Sequence, residues 1–258
     1  MRILVLNDDG IGSAGLAALA EAAEPLGEVW VVAPEHEQSA ASHAISLTRP
    51  LRIRKVRERW YSVDGTPTDC AYLAIHHLMK DEVPALALSG INHGPNMADD
   101  VLYSGTVAAA MEATLLGVPA IAFSLVARGR GLDFTSAARF ARALTGVALS
   151  QKLPPRLLLN VNVPGVAEPR GWAVTRLGRH TYGNQVVENR DPRGRRYYWI
   201  GGSEYTHEDL PGSDCNAVLD EQLISVTPVL LDLTDLASVD QLMRWPVDGF
   251  ERRSSAKI

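Results

Sequence analysis

Short continuous apolar runs alternate along this chain with longer stretches in which apolar residues return every three or four positions. The first kind, at residues 3–6, 29–33, 85–88, 119–124 and 157–163, reads as strands buried on both faces of a parallel sheet. The second kind reads as helices, and several open on a recognisable start. Ser13 precedes Leu16, Leu19, Ala20 and Ala23, with Gly27 placed to end the helix. Thr66, Pro67 and Asp69 supply an N-cap, a first-turn proline and a capping-box acid. Ser104-Gly105-Thr106 opens a helix whose apolar face is Val107, Ala110, Met111 and Leu115, and an alanine-rich helix is expected over 134–149. Alternation of strand and helix predicts an α/β fold with right-handed crossovers.

Two strands at 51–56 and 60–63, joined by Arg57-Glu58-Arg59, form an excursion from this pattern. After about residue 165 the pattern changes. Residues 172–199 are polar and strand-like, with Gly178, Gly183 and Gly194 as turns, which predicts an extended hairpin carrying His180 and Tyr182. Strand-like runs at 223–227 and 229–233 and a short helix at 238–244 follow, and the tail ERRSSAKI is expected to fray. The expected division is a core over 1–165 and a β-rich segment over 166–258 that returns in part to the core.

At 258 residues and 46% hydrophobic content the chain can bury a large core without staples. Its two cysteines, Cys70 and Cys215, have no CxxC spacing and cannot build a disulfide framework, so a reducing, cytoplasmic setting is expected. Met1 leads directly into the first strand, and no apolar run reaches membrane-spanning length. A net charge of −5 argues against a general nucleic-acid binder, and the basic stretches at 49–59 and 190–196 read as solvated hairpin faces.

The candidate chemistry gathers where strands end. The first strand runs into Asn7-Asp8-Asp9-Gly10. Two acids at the carboxyl end of a buried strand suit a hard divalent cation, provided the chain turns there so that both reach one ligand. Their other reading is turn formation and capping of the next helix. The loop after the second strand carries Ser39 and Ser42, and the strand at 85–88 opens into glycines at 90 and 94 with Asn92 and Asn96. The helix start at Ser104-Gly105-Thr106 is a potential anion site, because free N–H groups and the helix dipole favour phosphate there. Asp69 is accounted for by its capping box, and His76 and His77 lie inside a helix without a spaced partner. Parallel strands put these loops on one edge of the sheet. A divalent cation beside a phosphate-binding helix end is equipment for phosphoester hydrolysis. No GxSxG elbow is present and neither cysteine has an activating neighbour, so water is the expected nucleophile.

NDDG at 7–10, SAAS at 39–42, GTPTDC at 65–70, SGINHGPN at 89–96 and YSGTVAAAMEA at 103–113 together resemble the SurE family of stationary-phase survival proteins. A looser likeness continues through LLLNVNVP at 157–164 and the stretch at 209–235. The resemblance implies a Rossmann-like core and a 5′/3′-nucleotidase acting on nucleoside monophosphates, with activity toward polyphosphate in some members. It also implies one Mg²⁺ or Mn²⁺ per subunit. By position, Asp8, Asp9, Ser39 and Asn92 correspond to the metal ligands, and Asn96, Ser104, Gly105 and Thr106 to the phosphate site, with Asp8 or Asp9 as general base. The implied assembly is a homodimer or homotetramer built on C-terminal elements. Two departures are Ala40 in SAAS, often glycine in the family, and His93 after Asn92, which with His43 either adds a proton donor or narrows the mouth. Competing readings are a haloacid-dehalogenase-type phosphatase, which needs a DxD spacing absent here, and a nucleotide-binding stress protein without turnover. A dinucleotide oxidoreductase is a weaker reading, because the acidic turn after the first strand would repel a pyrophosphate unless a metal intervened.

Overall fold

A computed structural model describes residues 1–127, 131–151, 153–154, 156–182, 186–200 and 205–245. The predicted turn at Gly183, the side chain of Tyr182 and the tail from 246 onward lie outside the described residues. In chain order the first strands are β1 (Arg2–Leu6), β2 (Glu28–Pro34), β3 (Ile53–Arg57), β4 (Trp60–Val63), β5 (Leu86–His93), β6 (Ala120–Val126) and β7 (Leu157–Pro164). They are followed by β8 (Trp172–Val174), β9 (His180–Tyr182), β10 (Val186–Arg190), β11 (Arg196–Ile200), β12 (Tyr205–His207) and β13 (Ile224–Leu230). The helices are α1 (Ala14–Ala23), α2 (Pro67–Leu73), α3 (Gly105–Leu115), α4 (Thr135–Gln151) and α5 (Leu236–Leu242).

Nine strands form one sheet in the order β3-β4-β2-β1-β5-β6-β7-β13-β8, parallel throughout from β4 to β7. β3 and β13 run antiparallel to β4 and β7 respectively. β10 with β11, and β9 with β12, make two separate antiparallel pairs. The molecule is thus a mostly parallel, Rossmann-like α/β fold with an antiparallel hairpin near its C-terminal end. Among the described residues no helix is long and apolar enough to cross a membrane.

The continuous apolar runs follow from burial on both faces. Ile3 and Val5 join a core with Leu16 and Leu19 of α1 and Ala137 and Ala141 of α4. Leu4 and Leu6 point the other way, into a core with Cys70 and Ala71 of α2 and Val107 and Ala110 of α3. Each alternate position meets a helix layer, so no polar face survives in β1. The crossovers on the two sides of β1 use opposite layers: α1 leads to β2, and α2 precedes β5. This makes the carboxyl end of β1 the topological switch point, where an open α/β sheet leaves a crevice.

Two strands depart from expectation. β5 continues past Leu88, the expected end of the strand, to His93, because Ser89 and Gly90 stay in the sheet beside β6 across a register shift. Ser89 and Ile91 are fully buried, so the strand delivers Asn92 at its own end. The runs at 223–227 and 229–233 merge into one strand, β13, which passes through Pro228 and ends at Leu230. β8 pairs only with Ile224 to Val226, so Pro228 lies where one side of the strand has no ladder, as a strand proline requires.

Candidate active site

The loops that leave β1, β2 and β5 close on one another at this crevice. Gln38 N–H donates to Asp8 O at 2.8 Å, and Ile11 N–H to Pro34 O at 2.9 Å, fastening the second loop to the first. Ser42 N–H donates to Tyr103 O at 3.1 Å and its hydroxyl to Leu102 O at 2.8 Å, fastening the second to the third. Between them lies a cleft of about 640 Å³, walled by Asp8, Asp9, Ser39, Asn92, Asn96 and Ser104. Glu35, His36, Glu37, His93, Asp100 and Tyr103 also line it.

The acidic turn does not cap α1. That work falls to Ser13, whose Oγ accepts from Leu16 N–H and is itself held by Asn7 Nδ2 at 2.8 Å. Gly10 turns the chain with φ of +94°, a conformation that favours glycine. Both carboxylates therefore reach the cleft with no structural use for most of their lone pairs. Asp8 is 5% exposed, and one of its oxygens accepts from the Thr106 hydroxyl. Asp9 Oδ2 is buried and has no hydrogen-bond partner. Burial pushes the Asp8 carboxyl up to about 6, with the charge of Asp9 adding to the shift and the Thr106 hydrogen bond opposing it. Burial raises Asp9 as well, while His93, 3.6 Å from its Oδ1, works in the opposite direction.

The other oxygens are presented by local bonds. Asn92 Nδ2 donates to Gly94 O at 3.0 Å, which leaves its carbonyl oxygen as the ligating end. Ser39 Oγ donates to Glu37 Oε1 at 2.7 Å and keeps its lone pairs. Ser104 is the N-cap of α3, accepting from Val107 N–H at 3.1 Å. Asn96 is fixed by a buried polar network. Its Nδ2 donates to Ser124 Oγ at 2.8 Å, its N–H to Asn162 Oδ1 at 2.9 Å, and its carbonyl accepts from the amides of Asn160 and Asn162.

Three of the sequence-selected residues stand behind the wall. Thr106 is fully buried against Asp8. Gly105 faces Asp8 so closely that a Cβ there would lie 2.8 Å from Asp8 Cβ and 2.9 Å from its Oδ2. His43 is turned to α3, with Nε2 2.8 Å from Glu112 Oε2. Reading by motif did not select Asp100, Tyr103, His36 or Glu37, which carry no spacing signal of their own. Asp214 accepts from Gly178 and Cys215 N–H and also from Ala98 N–H, 116 positions away.

Among the described residues no three His, Cys, Asp or Glu side chains converge to hold a metal ion. The donor set at the cleft is instead two carboxylates with neutral oxygens, suited to a hard cation rather than a thiophilic one. Fold and cleft together define an open, doubly wound α/β protein with an acidic, oxygen-lined crevice facing a helix N-terminus at its switch point.

Comparison with known proteins gives the family. The family model described as Survival protein SurE matches residues 3–184. A 5′-nucleotidase SurE of Myxococcus xanthus (strain DK1622) is 69% identical over 251 residues, covering 97% of this chain and 95% of the relative. A 5′-nucleotidase SurE of Anaeromyxobacter dehalogenans (strain 2CP-C) is 58% identical over 253 residues, covering 98% of each. The crystal structure of the SurE protein from Aquifex aeolicus superposes with a TM-score of 0.82 at 39% identity, covering 94% of this chain and 98% of that one. The chain belongs to the SurE family.

Proposed function

We propose that the chain is a divalent-cation-dependent phosphomonoesterase that releases phosphate from nucleoside 5′-monophosphates, and also from 3′-monophosphates and short polyphosphate. Relatives named 5′-nucleotidase over nearly the whole length support the substrate class. The observation that carries the cation is the unpartnered, buried Asp9 Oδ2 beside the buried Asp8 carboxylate. Two such carboxylates next to Glu35, Glu37 and Asp100 would repel a phosphate dianion from a cleft lacking a countercharge.

Asp8, Asp9, Ser39 and Asn92 would hold one Mg²⁺ or Mn²⁺. Bound there, such a cation supplies charge to a phosphoryl oxygen and acidifies a neighbouring water. Ser104 and the first N–H groups of α3, with Asn96, receive the remaining phosphoryl oxygens. Thr106 holds Asp8 in place. Water attacks phosphorus, the less engaged of Asp8 and Asp9 takes its proton, and the ester bond to the nucleoside breaks. The products are the nucleoside alcohol and inorganic phosphate. The setting is cytoplasmic, with neither nucleic-acid duplex nor membrane as partner. Val186, Tyr198, Trp199 and Ile200 of the β10–β11 hairpin, and Leu236 and Leu242 of α5, are exposed apolar side chains that suit burial in a homodimer or homotetramer.

Phosphate release from a panel of nucleoside monophosphates and short polyphosphate, with Mg²⁺, Mn²⁺ or chelator, tests this on wild type and Asp9→Asn. Turnover should need the cation and collapse in the variant. Saturable nucleotide binding without phosphate release under either metal would instead identify a nucleotide-binding protein without turnover.

A further inference from the structure

The turn that leads into Ser104 is held from outside the parallel core. Residues 97–103 pass from Met97 through a single 3-10 turn, Ala98–Leu102, to the N-cap of α3. Ala98 has φ of +51°, a left-handed conformation that an alanine does not favour by itself. Its N–H donates to Asp214 Oδ2 at 3.0 Å. The other oxygen of Asp214 accepts from Gly178 N–H at 2.7 Å and Cys215 N–H at 2.8 Å, so three backbone groups from three segments converge on one fully buried carboxylate.

Two residues further on, Asp100 Oδ2 lies 3.1 Å from Nδ1 of His180, whose side chain is fully buried. Asp100 also accepts the N–H of Ser104 on its carbonyl at 3.0 Å, so fixing Asp100 fixes the cap residue of α3. Nε2 of His180 is 3.3 Å from Cys215 Sγ. Burial, with the Asp214 charge beside it, drives the Cys215 thiol well above its usual range, so it stays a thiol. A carboxylate only accepts, so Nδ1 of His180 carries the hydrogen that Asp100 accepts. Met97, Ala98, Cys215 and Val218 pack as a small apolar cluster beneath these bonds.

We propose that Asp214 and His180 are positioning residues that clamp the 97–103 turn, and through it set the place of Ser104 and Asp100 at the cleft. The proposal rests on the phosphomonoesterase reading above. It assigns Gly178, His180, Asp214 and Cys215, which lie outside the parallel core, a part in phosphate capture. Neither residue touches substrate, so each acts on affinity for the phosphoryl group. A misplacement of about one ångström at a reacting site, caused from a distance, can cost on the order of a hundredfold.

The test measures kcat, KM and the inhibition constant of inorganic phosphate, with Mn²⁺ present, for full-length wild type, Asp214→Asn, His180→Leu and His180→Asn. In Asp214→Asn the amide group must face one set of N–H donors, breaking either the Ala98 link or the Gly178 and Cys215 links. In His180→Leu the donor to Asp100 is gone, whereas His180→Asn puts an N–H near the former Nδ1. Asp214→Asn and His180→Leu should weaken inorganic phosphate by about tenfold or more and raise KM likewise, and His180→Asn should recover most of that loss. Circular dichroism and melting temperature report whether each variant is folded. If Asp214→Asn does not fold, the two His180 variants decide the matter. Unchanged phosphate inhibition in folded His180→Leu overturns the proposal, as does a loss confined to kcat that follows the unfolded fraction. A wild type that binds inorganic phosphate yet releases none from any monoester overturns the hydrolytic reading instead, and the clamp is then judged on phosphate binding alone.

Discussion

Replacing Asp8 by asparagine separates the charge of the cleft from its shape. In the metal-free protein the Asp8 carboxyl is raised from an ordinary 3.8 to about 6 by burial. A raised carboxyl pKa means that the folded state holds the proton more tightly than the unfolded chain. The associated stabilisation is therefore complete below pH 3.8 and disappears as the pH climbs through about 6. The difference corresponds to about 3 kcal/mol by pH 7.5, as an order of magnitude. Asp8→Asn keeps an oxygen for the Thr106 hydroxyl and removes the ionisation. At about 2–4 °C per kcal/mol for a chain of roughly this size, the variant should melt about 6 to 12 °C above wild type in chelator at pH 7.5. That gap should close toward pH 4.5. Saturating Mn²⁺ should reverse the order, since a cation at about 1,000 times its Kd adds about 4.1 kcal/mol to a protein that binds it, and the variant has lost a ligand. Differential scanning fluorimetry over pH 4.5 to 8, with chelator or Mn²⁺, reads all of this. A variant that melts below wild type in chelator at pH 7.5, or that gains as much from Mn²⁺, would refute the claim that the cleft stores uncompensated charge for a cation.

Gly105→Ala should drive its new methyl into Asp8, costing about 1–3 kcal/mol in stability and about a hundredfold in kcat if Asp8 shifts by an ångström, as read by melting and steady-state kinetics. Ser104→Ala removes one capping bond and should cost about 1 kcal/mol, with a rise in KM smaller than the loss in Asp9→Asn, because the N–H groups of α3 remain. Asn162→Leu keeps the branched outline, with more bulk, and leaves the N–H of Asn96 without its acceptor; chemical denaturation should show a loss of about 1–3 kcal/mol, and phosphate affinity should fall with it.

Much of this architecture was readable in the residues because its causes are local. The ILVL run of β1 has a helix layer on each side, so its burial pattern is its sequence pattern. Ser13, Thr66 and Ser104 cap helices where a capping residue precedes an apolar stripe. The loops of the cleft were legible as the loops after parallel strands, before any side chain was placed. What escaped depends on distance along the chain. His180 meets Asp100 across 80 positions and Asp214 meets Ala98 across 116, and no periodicity encodes such pairs. His43 was weighed as a group at the mouth, yet its partner is Glu112, on a helix 69 positions away. Asn160 and Asn162 show a middle case. Two amides at alternate positions of an otherwise apolar strand announce a buried polar network, although only the fold reveals that Asn96 is its object.

The place of β13 has a consequence for how the molecule comes into being. This late segment enters between β7 and β8 rather than adding to an outer edge, and the sheet ends on β8, a strand of three residues. A nascent chain halted before Ile224 would leave β7 with an open ladder along its length, the kind of surface that invites pairing with a stranger. Synthesis must therefore pass Leu230 before the sheet is sealed, and the chain still short of that point is the form most in need of protection.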